Sequence, residues 1–226
     1  MKVVAALQPG YLPWLGYFDL MKRSDLFVIE DNLKYTKQDW RNRNRIRAVN
    51  GATYLTVPVK KGASSLPINE VEIDNEQPWA RRHWNLIEEN YRCAPFWPGY
   101  APVLRDLLER PWFRLIDLDL ALTEFLAREF RIETPTVLLS ELPVVFGEDK
   151  TESLVALIRA VNGTAFVEGA SGRNFIDVTQ FEAAGLGIRF QDYVCRPYPQ
   201  QYEPFISHLS ALDLLLNVGP EGTDLV

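Results

Sequence analysis

The stretch KVVAALQPGYLPWLGYFDLMKRSDLFVI, residues 2–29, decides how the fold is read. Lys2 to Leu7 is an apolar run of strand length, and the Gly- and Pro-punctuated loop QPGYLPWLGY follows it. Phe18 to Lys22 is amphipathic at helical spacing, and Leu26 to Ile29 is a second apolar strand. Strand, loop, helix, strand is the repeating unit of an α/β protein. The same alternation returns after Glu133. Strand Thr136–Leu139 leads to helix Thr151–Val161, strand Ala165–Val167 leads through GASGR to helix Val178–Ala184, and strand Ile188–Phe190 follows. Between the two regions, Thr53–Val59 alternates as a strand and Ile68–Ile73 follows the turn KKGASSLP, so a hairpin or a pair of adjacent strands is expected there. Helices are expected at Pro78–Tyr91, burying Trp79, Trp84 and Ile87, at Leu115–Phe130, and at Ser207–Leu216 near the end of the chain. The expected architecture is one α/β domain over residues 1–226. It has a mostly parallel or mixed sheet flanked by helices, with an inserted hairpin or helical excursion in its middle.

Composition narrows the function classes. With 226 residues, 47% hydrophobic and 24% charged, the chain can bury a stable core, which excludes disordered and fibrous classes. The opening MKVVAALQPGY is too short for a signal-peptide core and no run of 18 apolar residues occurs, so a cytoplasmic protein without membrane insertion is expected. Cys93 and Cys195 have no neighbour at ligand spacing; neither a disulfide scaffold nor a zinc site is expected, and both are read as buried thiols.

Charge is unevenly distributed. Residues 34–61 carry a local +7 inside a chain of net −6, so the remainder sums to −13. An acidic protein with one confined arginine cluster suits a small anion, a nucleotide diphosphate or a phosphosugar, rather than a nucleic-acid polymer. If RNRNRIR is extended, Arg41, Arg43, Arg45 and Arg47 share one face and Asn42, Asn44 and Ile46 the other. Gln8, at the end of the first strand, offers an amide, and Tyr11, Trp14 and Tyr17 offer flat faces with polar tips, as sugar and nucleobase sites do. Asp31 and Asn32 end the second strand and are expected to face the same crevice as Gln8, with Asp31 a candidate catalytic group. The loop Gly169–Arg173 permits close backbone approach at Ser171, with Arg173 able to close over an anion, and Thr151 is read as a helix N-cap beside Lys150. His83 is the candidate proton-transfer histidine, although a histidine in a helix among aromatics is more often structural. No hydrolase, zinc or dinucleotide motif is present, and no cofactor is implied.

The runs QPGYLPWLGYFD and DNLKYTKQDWRNRNRI, the strand YLTVPV with its following Lys pair, and the ending FISHLSALDLLLNVGPEG together resemble the WbqC-like protein family of bacteria, from Gln8 to Gly222. Gln8, Pro9, Tyr11, Pro13, Trp14, Gly16 and Tyr17 fall on the first family motif. Asp31, Lys37, Trp40, Arg41, Asn42, Arg43 and Asn44 fall on the second, and Ser210, Asp213 and Asn217 on the last. His208 stands where the family pattern commonly has Asn, which favours a packing or hydrogen-bonding role for it over a catalytic one. The resemblance implies a part in surface-polysaccharide biosynthesis, typically lipopolysaccharide O-antigen. The expected activity is then a transferase that modifies a nucleotide-activated amino sugar by acyl or aminoacyl transfer. In that reading Arg41, Arg43 and Arg45 hold phosphate, Gln8 and Asp31 orient the acceptor, and Tyr11 and Trp14 stack. Two alternatives stand beside it: ATP-dependent carboxylate activation by a nucleotidyltransferase-like or ligase-like enzyme, and a non-catalytic assembly or carrier protein of the same pathway.

Overall fold

A computed structural model describes residues 1–226. In chain order the elements are β1 (Val3–Leu7), α1 (Leu15–Lys22), β2 (Leu26–Ile29), β3 (Arg43–Ala48), β4 (Gly51–Thr56), α2 (Trp79–Tyr91), α3 (Trp97–Glu109), α4 (Leu115–Glu129), β5 (Thr136–Leu138), α5 (Lys150–Ala160), β6 (Ala165–Glu168), α6 (Val178–Ala183), β7 (Gly187–Phe190) and α7 (Ala211–Val218), joined in places by 3₁₀ turns. They form two compact units. The first comprises residues 1–8, 16–32 and 133–194, and the second residues 9–15, 33–132 and 195–226.

The first unit is the α/β sheet expected from the alternating pattern. Five parallel strands lie in the order β5-β2-β1-β6-β7. β1 is central, with Val4 and Ala5 fully buried, because a parallel strand covered on both faces must be apolar throughout. The chain builds outward from β1 to β2 and β5, then crosses back to β6 and β7, so the order reverses between β1 and β6. Gly163, just before β6, approaches β1 so closely that a Cβ would lie 2.6 Å from Val4 Cγ2. α5 is capped by Asp149, whose carboxylate accepts from Thr151 N at 2.8 Å and Glu152 N at 3.0 Å. Thr151, the residue expected to cap, instead accepts from Asp177 N through its hydroxyl at 3.1 Å.

The second unit holds a two-stranded antiparallel sheet, β3–β4, with helices α2, α3, α4 and α7. The ladder partner is the preceding segment, and the expected neighbours Thr53–Val59 and Ile68–Ile73 meet only in one antiparallel bridge, Val59 to Ile73. Thr53 pairs with Ile46 and Tyr54 with Arg45, around the two-residue turn Val49–Asn50 with Gly51 at φ +127°, while Ile68–Glu70 is a 3₁₀ turn rather than a strand. Gly51 follows the turn and pairs with Ala48, and its φ is one that glycine adopts at little cost. Helix α3 was not apparent in the sequence. Pro98 sits in its first turn, where no amide bond is lost, and Pro102 lies inside it. The cysteines also depart from expectation: Cys93 is exposed and Cys195 partly so.

Burial in this unit includes a dense polar network. The Tyr91 hydroxyl donates to Asp213 Oδ1 at 2.6 Å and accepts from Arg47 N at 2.8 Å. Asp213 Oδ2 accepts from the Tyr198 hydroxyl and from Gln200 Nε2, each at 2.9 Å. Arg47, 1% exposed, donates to the carbonyls of Ala48, Gly51, Tyr202 and Pro204. Asp213→Ala would leave the two buried tyrosine hydroxyls and the half-buried Gln200 amide without this acceptor, so we expect a loss of about 3 kcal/mol in urea unfolding, with α7 the first segment to lose amide-exchange protection.

Candidate functional site

Three sequence segments far apart in the chain meet in the second unit. The loop Pro9–Leu15 is laced to the segment before and along β3: Tyr11 N donates to Trp40 O at 3.1 Å, and Asn44 Nδ2 donates to Leu12 O at 2.7 Å. Gly10 allows this approach, since a Cβ there would stand 3.0 Å from the same Trp40 carbonyl. The segment leading into α7 closes the third side. Ser210 N donates to Arg45 O at 2.9 Å and Ala211 N to Pro13 O at 2.8 Å, while the Ser210 hydroxyl caps α7 by accepting from Leu212 N.

These contacts frame a cavity of about 220 Å³ lined by Trp14, Trp40, Asn44, Arg45 and His208. That is the volume of about seven waters, the bulk of one sugar-sized ring, and smaller than the ~300 Å³ and more of a site that engulfs a whole drug-sized ligand. Its walls are aromatic. His208 stacks on Trp14 with ring centroids 5.2 Å apart, and the Arg45 guanidinium lies 5.8 Å from the Trp40 ring. Beside it, Trp40 stacks with Tyr54 at 6.5 Å and Arg43 lies 4.8 Å over Tyr54, so guanidinium and aromatic groups alternate along one face of the hairpin. Arg43 Nε and Arg45 Nε are both buried without a hydrogen-bond partner. No carboxylate lines the cavity.

The pleat separates the arginines from the asparagines as the alternation implies, but each arginine has its own environment. Arg41, in the turn before β3, pairs with Asp39 at 2.7 Å, which offsets part of its charge. Arg47 is buried among backbone carbonyls and holds structure rather than ligand. Asn42 Nδ2 donates to Val57 O and Asn44 Oδ1 accepts from Arg45 N, so both asparagines brace the hairpin. Lys37 is exposed.

Tyr11, within the loop, and His83, on α2, do not line the cavity. Tyr11 is fully buried, and its hydroxyl is 2.8 Å from His83 Nδ1. His83 Nε2 is 3.2 Å from Thr56 O, which can only accept, so Nε2 carries the hydrogen and Nδ1 accepts from Tyr11. Both ring nitrogens are thus engaged. Asp119, in α4, is 0% exposed with no partner for either oxygen; burial pushes its carboxyl well above the usual range, and its field raises Tyr11 and Tyr35 as a smaller effect than their own burial.

The remaining expected residues belong to the first unit. Gln8 follows β1, and Tyr17, on α1, packs edge-on against Phe18 and at a tilt against Phe27. Asp31, 1% exposed, accepts from Ser140 N at 2.9 Å and from the Ser140 hydroxyl at 2.6 Å, clamping the end of β2 to the turn after β5. Ser171 is exposed on the 3₁₀ turn after β6, and Arg173 pairs with Asp192 at 2.9 Å while lying over Phe190. Glu168, the last residue of β6, was not singled out from sequence. Burial pushes its carboxyl up to about 7, against the pull of the Gly169 amide and of Lys150. Its position one residue before GASGR is a signal that could have found it.

The fold and the cavity define an α/β protein with a ring-sized, cationic, aromatic pocket. The chain belongs to the WbqC-like protein family, whose model matches residues 8–225. It is similar to "Uncharacterized protein Rv1507c" of Mycobacterium tuberculosis (strain ATCC 25618 / H37Rv), with 37% identity over 99% of this chain and 97% of that protein. No solved structure matches. No helix is long and apolar enough to cross a membrane, and no group of His, Cys, Asp or Glu side chains is arranged to hold a metal ion.

His83 yields a pH prediction. Burial lowers its pKa from 6.5 to about 4, with the Thr56 hydrogen bond opposing, so the folded state holds it neutral where the unfolded chain protonates it. Its stabilisation is complete above pH 6.5 and is lost as pH falls towards 4, to a total of about 3 kcal/mol. Urea midpoints measured from pH 7 to pH 4 should fall less steeply in His83→Gln than in the unsubstituted protein.

Proposed function

We propose that this protein is an enzyme of bacterial glycan biosynthesis that binds a nucleotide-activated sugar in the Trp14–Trp40–Arg45–His208 pocket and modifies it by acyl or aminoacyl transfer. The observation that carries the reading is the pocket itself: aromatic walls for a ring, with the Arg45 guanidinium in the wall and Arg43 next to it on the same face of β3. Arg43 and Arg45, one pleat apart on β3, suit a diphosphate bidentately, while Trp40 and Tyr54 hold both guanidiniums in place. Asn44 and Tyr11 shape the loop around the ring, and His83 fixes Tyr11. Family membership agrees with a glycan pathway through the resemblance described above, and a cytoplasmic location would fit such precursors. No nucleic-acid polymer is expected as a partner.

The strand order favours a second reading. In doubly wound sheets ligands bind outside the carboxyl ends of the strands where the order reverses, here between β1 and β6, where Gln8 and Glu168 stand. A mononucleotide such as ATP held there would serve carboxylate activation, and Glu168 would be its acid–base group.

Titration calorimetry with UDP-, dTDP- and GDP-linked sugars, ATP and coenzyme A esters separates the readings. A nucleotide sugar should bind, and Arg45→Ala should weaken it by about 1.5 to 3 kcal/mol, the range for a hydrogen bond to a charged group, with the fold retained. Binding of ATP alone, unaffected by Arg45→Ala, would replace the first reading with the second. Tight binding of a nucleotide sugar without turnover against any acyl donor would favour a carrier.

A further inference from the structure

His208 is unlike any other residue of the pocket. It is exposed, and its backbone lies in the left-handed region at φ +57°, which non-glycine residues adopt at a cost and which recurs at ligand sites. Two contacts hold it there: the Arg45 guanidinium donates to its carbonyl at 3.1 Å, and its ring stacks on Trp14. Its Nδ1 lies 2.8 Å from the Ser207 hydroxyl, and Nε2 has no protein partner. The cavity that this ring lines contains one permanent charge, Arg45. Arg43 stands one pleat along β3, and Arg41, before it, is paired with Asp39; no carboxylate lines the cavity to neutralise an imidazolium.

We propose that His208 is a ligand-contacting, specificity-determining residue, which together with Arg45 forms a two-point clamp for a phosphate-class anionic group in this pocket. The proposal rests on the pocket being the ligand site, as above, and adds to it the placement of the ligand's charge. When the ring is protonated, Nδ1–H turns to Ser207 Oγ and Nε2–H is a second charged donor beside the guanidinium. The bound anion favours the imidazolium and the imidazolium favours the anion, so binding here is proton-linked and affinity rises as pH falls. A neutral glycan gains nothing from that second donor. A sugar whose phosphate is attached directly to the ring in the cavity gains it in full.

The chain contains two histidines, and the other, His83, is buried with both nitrogens engaged, so the imidazole proton resonances assign themselves by titration. The experiment follows both resonances in the full chain from about pH 5.5 to 8, alone, with inorganic sulfate and with UDP-glucose, two probes whose charge is constant over that range. Sulfate should move the His208 resonance and raise its titration midpoint while leaving His83 in place. UDP-glucose should bind on the order of tenfold more tightly at the acid end, and His208→Asn, which tolerates the left-handed backbone, should abolish that dependence. A His208 resonance and midpoint that sulfate and UDP-glucose both leave unmoved would overturn the clamp. UDP-glucose binding with no effect on His208 overturns the clamp and leaves the nucleotide-sugar reading standing. Sulfate acting on His208 with no UDP-glucose binding does the reverse. Because the resonance is read in the unsubstituted protein, the result does not depend on the variant folding.

Discussion

The Asp213 carboxylate is the point on which the second unit depends. One side chain accepts from Tyr91 of α2, Tyr198 and Gln200 of the segment before α7, and through Tyr91 it is tied to the backbone of Arg47 in β3. Burial raises its carboxyl while the three donors pull the other way, and the donors are what make a buried acid tolerable. The consequence reaches the pocket. α7 is fixed by Asp213, Ser210 caps α7 and bonds to Arg45 O, and His208 lies two residues before that cap. A hydrogen-bonded core thus sets the position of a residue on the surface.

The arginine cluster is divided among roles by its surroundings. Arg41 is offset by Asp39 and Arg47 is absorbed by four backbone carbonyls, which leaves Arg43 and Arg45 flanked by aromatic faces rather than acids. Aromatic support costs a guanidinium none of its charge, whereas an ion pair cancels it. Two cations on one face of a hairpin are thus left without a carboxylate partner.

Much of the fold was legible because parallel strands buried on both faces announce themselves as short apolar runs between helical periodicities. β2 was read to the residue, and β1, β5, β6 and β7 to within a residue at either end. The pairing was legible only in part: Thr53–Val59 meets the next apolar run in a single antiparallel bridge, Val59 to Ile73, whereas its ladder partner is the strongly charged Arg43–Ala48. A strand with a row of arginines along one face lacks the apolar alternation by which a strand is recognised. Helix α3 was hidden by two prolines that its first turn and an interior position accommodate. Of the residues that line the cavity, Trp14, Trp40, Asn44 and Arg45 were legible as motif residues, and His208 as a packing or hydrogen-bonding residue.

The sequence by itself determined the α/β class, the strand that starts it, and the two segments rich in rings and guanidiniums, because periodicity and composition are local properties. Only the tertiary structure decided which of those residues face one another. Asp31 and His83 are acid–base candidates in a string of letters, and only the fold shows that Ser140 bonds both oxygens of the one and that Tyr11 and Thr56 engage both nitrogens of the other. His208, more than 160 residues from Trp14 and Arg45, meets them only because a buried carboxylate anchors α7. Hydrogen-bond satisfaction in a folded core is a long-range property, and no local pattern carries it.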